Sequence, residues 1–185
     1  LISYSIELAK GIPFKKDIYV SSDSSEILSI AKLYGAKKYK RPEKYSTDEV
    51  TLDPVIYDLY SKKITNNKYD FIITLQPTSP LRSIKDLRLG IKKFNQNFLP
   101  TMSVNKLHVK SDKIYFLDKD RLICNETKKQ NVSYVPNGSF YIISKKKLLK
   151  LKNFYSKKMN YVEVSNHKNK IDIDYYEDLK LAKML

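Results

Sequence analysis

Phe71-Ile72-Ile73-Thr74-Leu75 is a continuous apolar and β-branched run, and it leads straight into Gln76-Pro77-Thr78-Ser79-Pro80-Leu81-Arg82. Such a run suits a strand covered on both faces, as in a parallel sheet. Around it, helix and strand patterns alternate. Residues 1–10 read as an amphipathic helix, 17–22 as a strand, and 25–34 as a helix with Ile27, Ile30, Ala31 and Tyr34 on its apolar face and Gly35 at its end. Residues 36–39 read as a short strand, 41–49 as a polar loop and 51–63 as a helix with Pro54 in its first turn. A helix over 84–95 is capped by Ser83, and strands follow at 101–104, 139–144 and 161–164. Helices are expected at 145–153 and 175–184. The alternation predicts a three-layer α/β fold with a mostly parallel sheet. Residues 105–136, with strand signals at 113–117 and 121–124, interrupt it and read as an insertion or arm.

The chain has 185 residues, enough for one domain and short for two. No apolar run approaches the ~18–20 residues of a membrane-spanning helix. The single Cys124 excludes an internal disulfide, and two distant histidines, His108 and His167, argue against a His-rich metal centre. The formal charge is +15, but only Arg41, Arg82, Arg88 and Arg121 are arginines, and the lysines are spread along the whole chain. That distribution favours a solvated lysine surface over a nucleic-acid footprint, and it suits a polyanionic small substrate. The first ten residues lack the pattern of a signal peptide.

In open α/β sheets, ligands bind beyond the carboxyl ends of the strands. Ser21-Ser22-Asp23, Gln76 to Arg82 and Asn137-Gly138 are expected there. Pro77 and Pro80 stiffen the second segment, so Gln76, Thr78 and Ser79 can be presented to a polyhydroxylated ligand. Read alone, the same segment also fits a plain connection into the next helix. Asn137-Gly138-Ser139 reads as a turn entering strand 139–144. Arg41-Pro42 with Ser46-Thr47-Asp48 is a weak nucleotide signal. Lys10-Gly11-Ile12-Pro13-Phe14-Lys15-Lys16 has a phosphate-loop composition, but it follows a helix and precedes a strand, the reverse of what such a loop needs. In Ile171-Asp172-Ile173-Asp174 an extended backbone would turn both carboxylates to one face, where a Mg²⁺ ion could sit between them; acids leading into a helix are the ordinary alternative.

In order along the chain, Val20-Ser21-Ser22-Asp23, Ala31 to Ala36, Arg41-Pro42, Leu75 to Arg82, Tyr134-Val135-Pro136-Asn137-Gly138-Ser139-Phe140-Tyr141-Ile142, Ile171 to Asp174 and Glu177-Asp178-Leu179 resemble the acylneuraminate cytidylyltransferases, or CMP-sialic acid synthetases. The resemblance runs from residue 1 to residue 185. It implies a Rossmann-like three-layer α/β/α nucleotidyltransferase with a small dimerisation arm at 105–136, cytoplasmic and homodimeric, with no nucleic-acid or membrane partner. It implies that CTP and a nonulosonic acid (sialic, legionaminic or pseudaminic) yield a CMP-sugar and pyrophosphate with Mg²⁺. Asp172 and Asp174 would be the catalytic, metal-holding pair. Ser22, Asp23, Arg41, Ser46, Asp48 and Thr51 would bind the nucleotide, and Gln76, Thr78, Ser79, Asn137 and Tyr141 the sugar acid.

The family begins with a strand and a Gly- and basic-rich loop around the triphosphate. This chain starts at the helix that follows, which implies an N-terminally incomplete domain, inactive by itself. Lys128-Lys129-Gln130-Asn131 replaces an arginine-bearing segment, and lysine lacks the bidentate fork for a carboxylate. A synthetase for the eight-carbon acid Kdo, a non-catalytic relative that binds a sugar nucleotide, and a basic nucleic-acid-binding protein are the alternative readings.

Overall fold

The computed structural model describes residues 1–63, 69–109, 115–118, 121–124 and 133–185. Lys128-Lys129-Gln130-Asn131 lies outside the described residues. In chain order the elements are α1 (Ile2–Lys10), β1 (Tyr19–Ser22), α2 (Ser25–Leu33), β2 (Lys37–Lys40), α3 (Leu52–Lys63), β3 (Phe71–Thr74), α4 (Ile84–Asn97), β4 (Thr101–Leu107), β5 (Tyr115–Asp118), β6 (Arg121–Cys124), β7 (Ser133–Ser144), α5 (Lys145–Leu151), β8 (Asn160–Glu163) and α6 (Tyr176–Met184). Short 3-10 turns occupy Glu43–Tyr45 and His167–Lys170.

β1 and β2 pair in parallel, and a four-stranded sheet runs β3-β7-β4-β8. β7 is antiparallel to β3 and β4, while β4 and β8 are parallel. Thus β3, β4 and β8 share one direction and β7 alone opposes them. The expected parallel sheet is right for strand direction and wrong for pairing at β7. The reason lies in the connection. A parallel neighbour needs a crossover, usually helical, whereas β4 and β7 pair directly at 105–107 and 133–135, and the stretch between them holds β5 and β6, an antiparallel ribbon of their own.

β3 is covered on both faces, as its apolar run predicts: Phe71 and Ile73 pack against the cluster around Phe140, and Ile72 against the one around Ile143. β3 lies at the end of its sheet with one neighbour, and Phe71, Ile72 and Ile73 are half-buried. From Asn137 to Ile143 every residue of β7 is buried. Phe140 and Ile142 join Leu87, Ile91 and Phe94 of α4 and Val162 of β8 on one face. Tyr141 and Ile143 join Tyr60 of α3, Leu148 of α5 and Phe154 on the other. Helices therefore cover both faces, the three-layer arrangement that the alternating pattern predicts. At Gly90 α4 comes close against β7, since a Cβ there would stand 2.5 Å from Phe140 Cε2.

A separate cluster of Ile6, Val20, Leu28, Ala31 and Ala36 holds α1, β1 and α2 together. Of the apolar face expected for α2, Ala31 is fully buried, while Ile27 and Tyr34 give way to Leu28. Leu28 and Ala31 are the buried residues of α2, and Ile27 and Tyr34 are each 39% exposed. Ser24 caps α2 by accepting from Ile27 N–H. Gly35, at φ +75°, ends the helix, with Ala36 N–H donating to Ala31 O and Gly35 N–H to Lys32 O. These paired bonds need a left-handed residue at Gly35. β2 is tied to α3 by Tyr39, whose hydroxyl donates to Asp58, and Lys62 completes the pair at 2.9 Å. Burial opposes the Asp58 charge, but hydrogen bonds from Tyr39 and Lys62 outweigh it and hold the carboxyl below its usual range.

Candidate active site

At the carboxyl end of β3 the chain turns through Gln76 to Arg82 and is closed on itself. Ser79 N–H donates to Gln76 O, and Arg82 Nη2 donates to the same carbonyl. Ser83 then caps α4, accepting from Lys85 and Asp86 N–H. Two other segments dock on this loop. Gln76 N–H donates to Gly138 O at 3.3 Å, and Ser79 Oγ donates to Asn137 O at 3.1 Å. Ile173 N–H donates to Thr78 O at 2.8 Å. The structure therefore gathers three of the segments singled out from sequence: 76–82, 137–139 and 171–174.

Asn137-Gly138 is not a turn ahead of a strand. It is an irregularity inside the twelve-residue β7, where the register with β4 shifts between Met102 and Val104. Four residues of β7 stand between the pairings Val104↔Pro136 and Met102↔Tyr141, opposite Ser103 alone on β4. Ser103 Oγ donates to Phe140 O and accepts from Phe140 N–H, which satisfies the displaced backbone. Asn137 is buried, donates to Asn105 Oδ1 at 3.0 Å and accepts from Ser139 N–H. Gly138 has φ +73°, and a Cβ there would lie 2.4 Å from Gln76 Oε1. Gln76's side chain rests on this bare Cα, and among the described residues its amide has no hydrogen-bond partner.

The two aspartates differ. Asp172 is half-buried, and its Oδ1 is enclosed without a hydrogen-bond partner, whereas Asp174 is exposed. Ile171–Asp174 forms no paired strand; it follows the 167–170 turn and leads into α6, where Asp178 accepts from Asp174 and Tyr175 N–H. Among the described residues no group of three or more His, Cys, Asp or Glu comes together. Mg²⁺ is commonly held by one or two carboxylates with substrate phosphates and water. An enclosed, unpartnered carboxylate oxygen beside a second aspartate fits that donor set.

Tyr141, expected at the sugar acid, is buried in the core, with its ring against Phe154 at 5.5 Å and Tyr155 at 6.5 Å. Burial pushes its hydroxyl well above the usual phenol range, and the charges of Asp172 and Asp53 add to that. Asp172 therefore lies within electrostatic reach of it.

The residues expected at the nucleotide form a looser set. Ser22 is buried at the end of β1, and its Oγ accepts from Ser24 N–H. Its carbonyl accepts from Arg41 N–H at 2.9 Å. Arg41 Nη2 pairs with Asp23 at 3.0 Å, and this contact holds the Asp23 carboxyl below its usual range. Ser22, Asp23 and Arg41 are thus brought together. Ser46 turns back to Pro42 O, while Asp48 and Thr51 are exposed, and among the described residues no contact joins them to Arg41.

Arg82 has no assigned role in the sequence reading. It is 8% exposed, donates to Ser5 Oγ at 3.1 Å and to Gln76 O, and makes no ion pair among the described residues. Its sequence signals are its position at the end of the proline-fixed loop and its place in the Leu75–Arg82 segment of the family resemblance.

A family model described as cytidylyltransferase matches residues 1–185. The CMP-N,N'-diacetyllegionaminic acid synthase of Legionella pneumophila is 28% identical over 100% of this chain and 84% of that protein. The pseudaminic acid cytidylyltransferase of Campylobacter jejuni is 29% identical over the same shares. Among solved structures, a CMP:2-keto-3-deoxy-manno-octonic acid synthetase complexed with CTP superposes with TM-score 0.66 at 11% identity, covering 100% of this chain and 88% of that one.

Proposed function

The chain belongs to the cytidylyltransferase family, and on that premise we propose that it transfers CMP from CTP to the anomeric hydroxyl of a nonulosonic acid. The new bond joins the anomeric oxygen to the α-phosphorus, and the hydroxyl proton is released to solvent; the bond from that phosphorus to the bridging oxygen breaks, and pyrophosphate leaves. The observation that carries the reading is the convergence of Gln76, Gly138 and Asp172 on one loop, through Gln76 N–H to Gly138 O and Ile173 N–H to Thr78 O.

In this reading Gln76 binds the sugar acid with its unpartnered amide. Thr78, Ser79, Asn137 and Tyr141 form its surroundings: Ser79 and Asn137 hold the loop and bulge together, and Tyr141 supplies a wall. Ser22, Asp23 and Arg41, with Ser46, Asp48 and Thr51 on the following loop, take the nucleotide. Asp172 and Asp174 would hold Mg²⁺, which when bound offsets charge on the phosphate oxygens. A cytoplasmic homodimer, joined through the 105–136 arm, is part of the same proposal.

The test is CTP-dependent pyrophosphate release with Mg²⁺ and a panel of sialic, legionaminic, pseudaminic and Kdo acids. It is run on this chain and on a version preceded by a relative's strand and basic loop, because β1 and β3 each pair along one edge among the described residues. Release with a nine-carbon acid supports the proposal and identifies the substrate. Release with Kdo alone, or none from two folded proteins, overturns it.

A further inference from the structure

A guanidinium is costly to bury without a carboxylate against it. Arg82 is nevertheless 8% exposed. Nη1 reaches Ser5 of α1, Nη2 reaches the Gln76 carbonyl, and Nε is enclosed without a partner. Burial lowers its pKa to about 10, and the charge of Asp172 partly offsets that cost. The arginine is therefore held at a place where three things meet: α1, the Gln76 main chain, and the field of one candidate metal ligand.

The Gln76 peptide is fixed at both ends. Its N–H is bound to Gly138 O, and its carbonyl takes both Arg82 Nη2 and Ser79 N–H. Its side chain then lies on Gly138, where no Cβ intervenes. An aliphatic residue at 82 would leave that carbonyl with the weaker 3.3 Å bond from Ser79 alone. Lysine would keep the charge, but its single ammonium lacks the planar fork that spans Ser5 and Gln76 together.

We propose that Arg82 is a positioning residue for the sugar-acid subsite, acting through the Gln76 main chain to hold the Gln76 amide against Gly138. The proposal rests on the reading of Gln76 as the sugar-acid contact. It gives the buried arginine a task separate from folding: side-chain direction at Gln76.

The experiment compares wild type, Arg82→Lys, Arg82→Met, Gln76→Ala and the Arg82→Lys/Gln76→Ala double variant, each with its melting temperature. Arg82→Lys is expected to raise KM for the nonulosonic acid about tenfold, the scale of a sub-ångström misplacement, with KM for CTP within about twofold. On the Gln76→Ala background the same substitution is expected to add nothing, because the two residues act as one unit. Equal rises in both KM values, or additive effects, would overturn the proposal.

A second readout needs no turnover. The Gln76 side-chain amide resonances, identified by their loss in Gln76→Ala, are expected to shift in Arg82→Lys and, if that variant folds, in Arg82→Met. Unchanged resonances in folded Arg82→Lys also overturn it. If neither this chain nor its extended version releases pyrophosphate while the amide still shifts, the functional reading has failed and the positioning has not.

Discussion

The two halves of the site are built differently. Around Gln76, three chain segments far apart in sequence are joined by main-chain bonds, and a buried arginine and a glycine at φ +73° fix the side chain between them. Around Arg41 the main contact is an ion pair in which the Asp23 side chain is 53% exposed, and the loop beyond it turns on itself through Ser46 and Pro42. Exposed pairs of that kind contribute little. The half proposed for the sugar acid and metal is thus set by the fold before any ligand arrives. The half proposed for the nucleotide has Ser22 as its buried anchor, and the ligand itself must complete it. A rigid acceptor pocket suits a reaction in which a single hydroxyl must be aimed at phosphorus.

The largest way to break this contrast is Asp172→Asn. It is expected to lower kcat by more than the ~100-fold typical of an outer-shell metal partner, with the fold intact by circular dichroism. Added Mg²⁺ should not restore the rate. Next is Gly138→Ala, where strain at φ +73° and a Cβ 2.4 Å from Gln76 Oε1 act together. Displacing the Gln76 amide by about 1 Å is expected to cost about 10²-fold in kcat/KM for the sugar acid, read by steady-state kinetics. Asp58→Ala, beneath the nucleotide half, is expected to lower stability by about 1–3 kcal/mol in urea titrations, because Tyr39 loses a buried acceptor. The pH dependence follows from the same carboxyl. Its folded pKa is depressed, so its contribution is present above the unfolded value near ~4 and is lost as pH falls through the folded one. Wild type should therefore lose more stability than Asp58→Ala on acidification below about pH 4. The smallest effect is expected from Asp23→Asn: KM for CTP changes by less than about fivefold and the melting temperature is unchanged within error.

Helix and strand alternation was legible because the apolar residues recur at the right periods, and the order of the elements follows it. The role of β7 was not. Pro136-Asn137-Gly138 has the composition of a turn, and nothing local shows that Ser103, on another strand, satisfies the displaced backbone and lets one strand run through it. The apolar run at 71–75 was legible as a strand covered on both faces, with Phe71 and Ile73 packed on one side and Ile72 on the other; its place at the end of the sheet was not, because periodicity carries no information on how many neighbours a strand has. In α2 the helical period and Ala31 were right, but Ile27 and Leu28 are equally apolar and tertiary packing selects Leu28. Gln76 and Asn137 were legible together from the rule that ligands bind beyond the carboxyl ends of the strands, whereas Asp172 was joined to them only by the ordered resemblance to a family. Arg82 was not legible as a buried residue, because arginine is ordinarily exposed and its partners, Ser5 and a main-chain carbonyl, leave no pattern.

The most direct test of the two-half account is amide hydrogen exchange on the folded protein, alone, with CTP and Mg²⁺, and with a nonulosonic acid. The account predicts that Gln76, Ile173 and their neighbours are already protected in the protein alone, that CTP with Mg²⁺ adds protection over 41–51, and that the sugar acid adds it over 76–82 and 137–139. Protection of 76–82 by CTP and of 41–51 by the sugar acid, or slow exchange over 41–51 before any ligand, would contradict it.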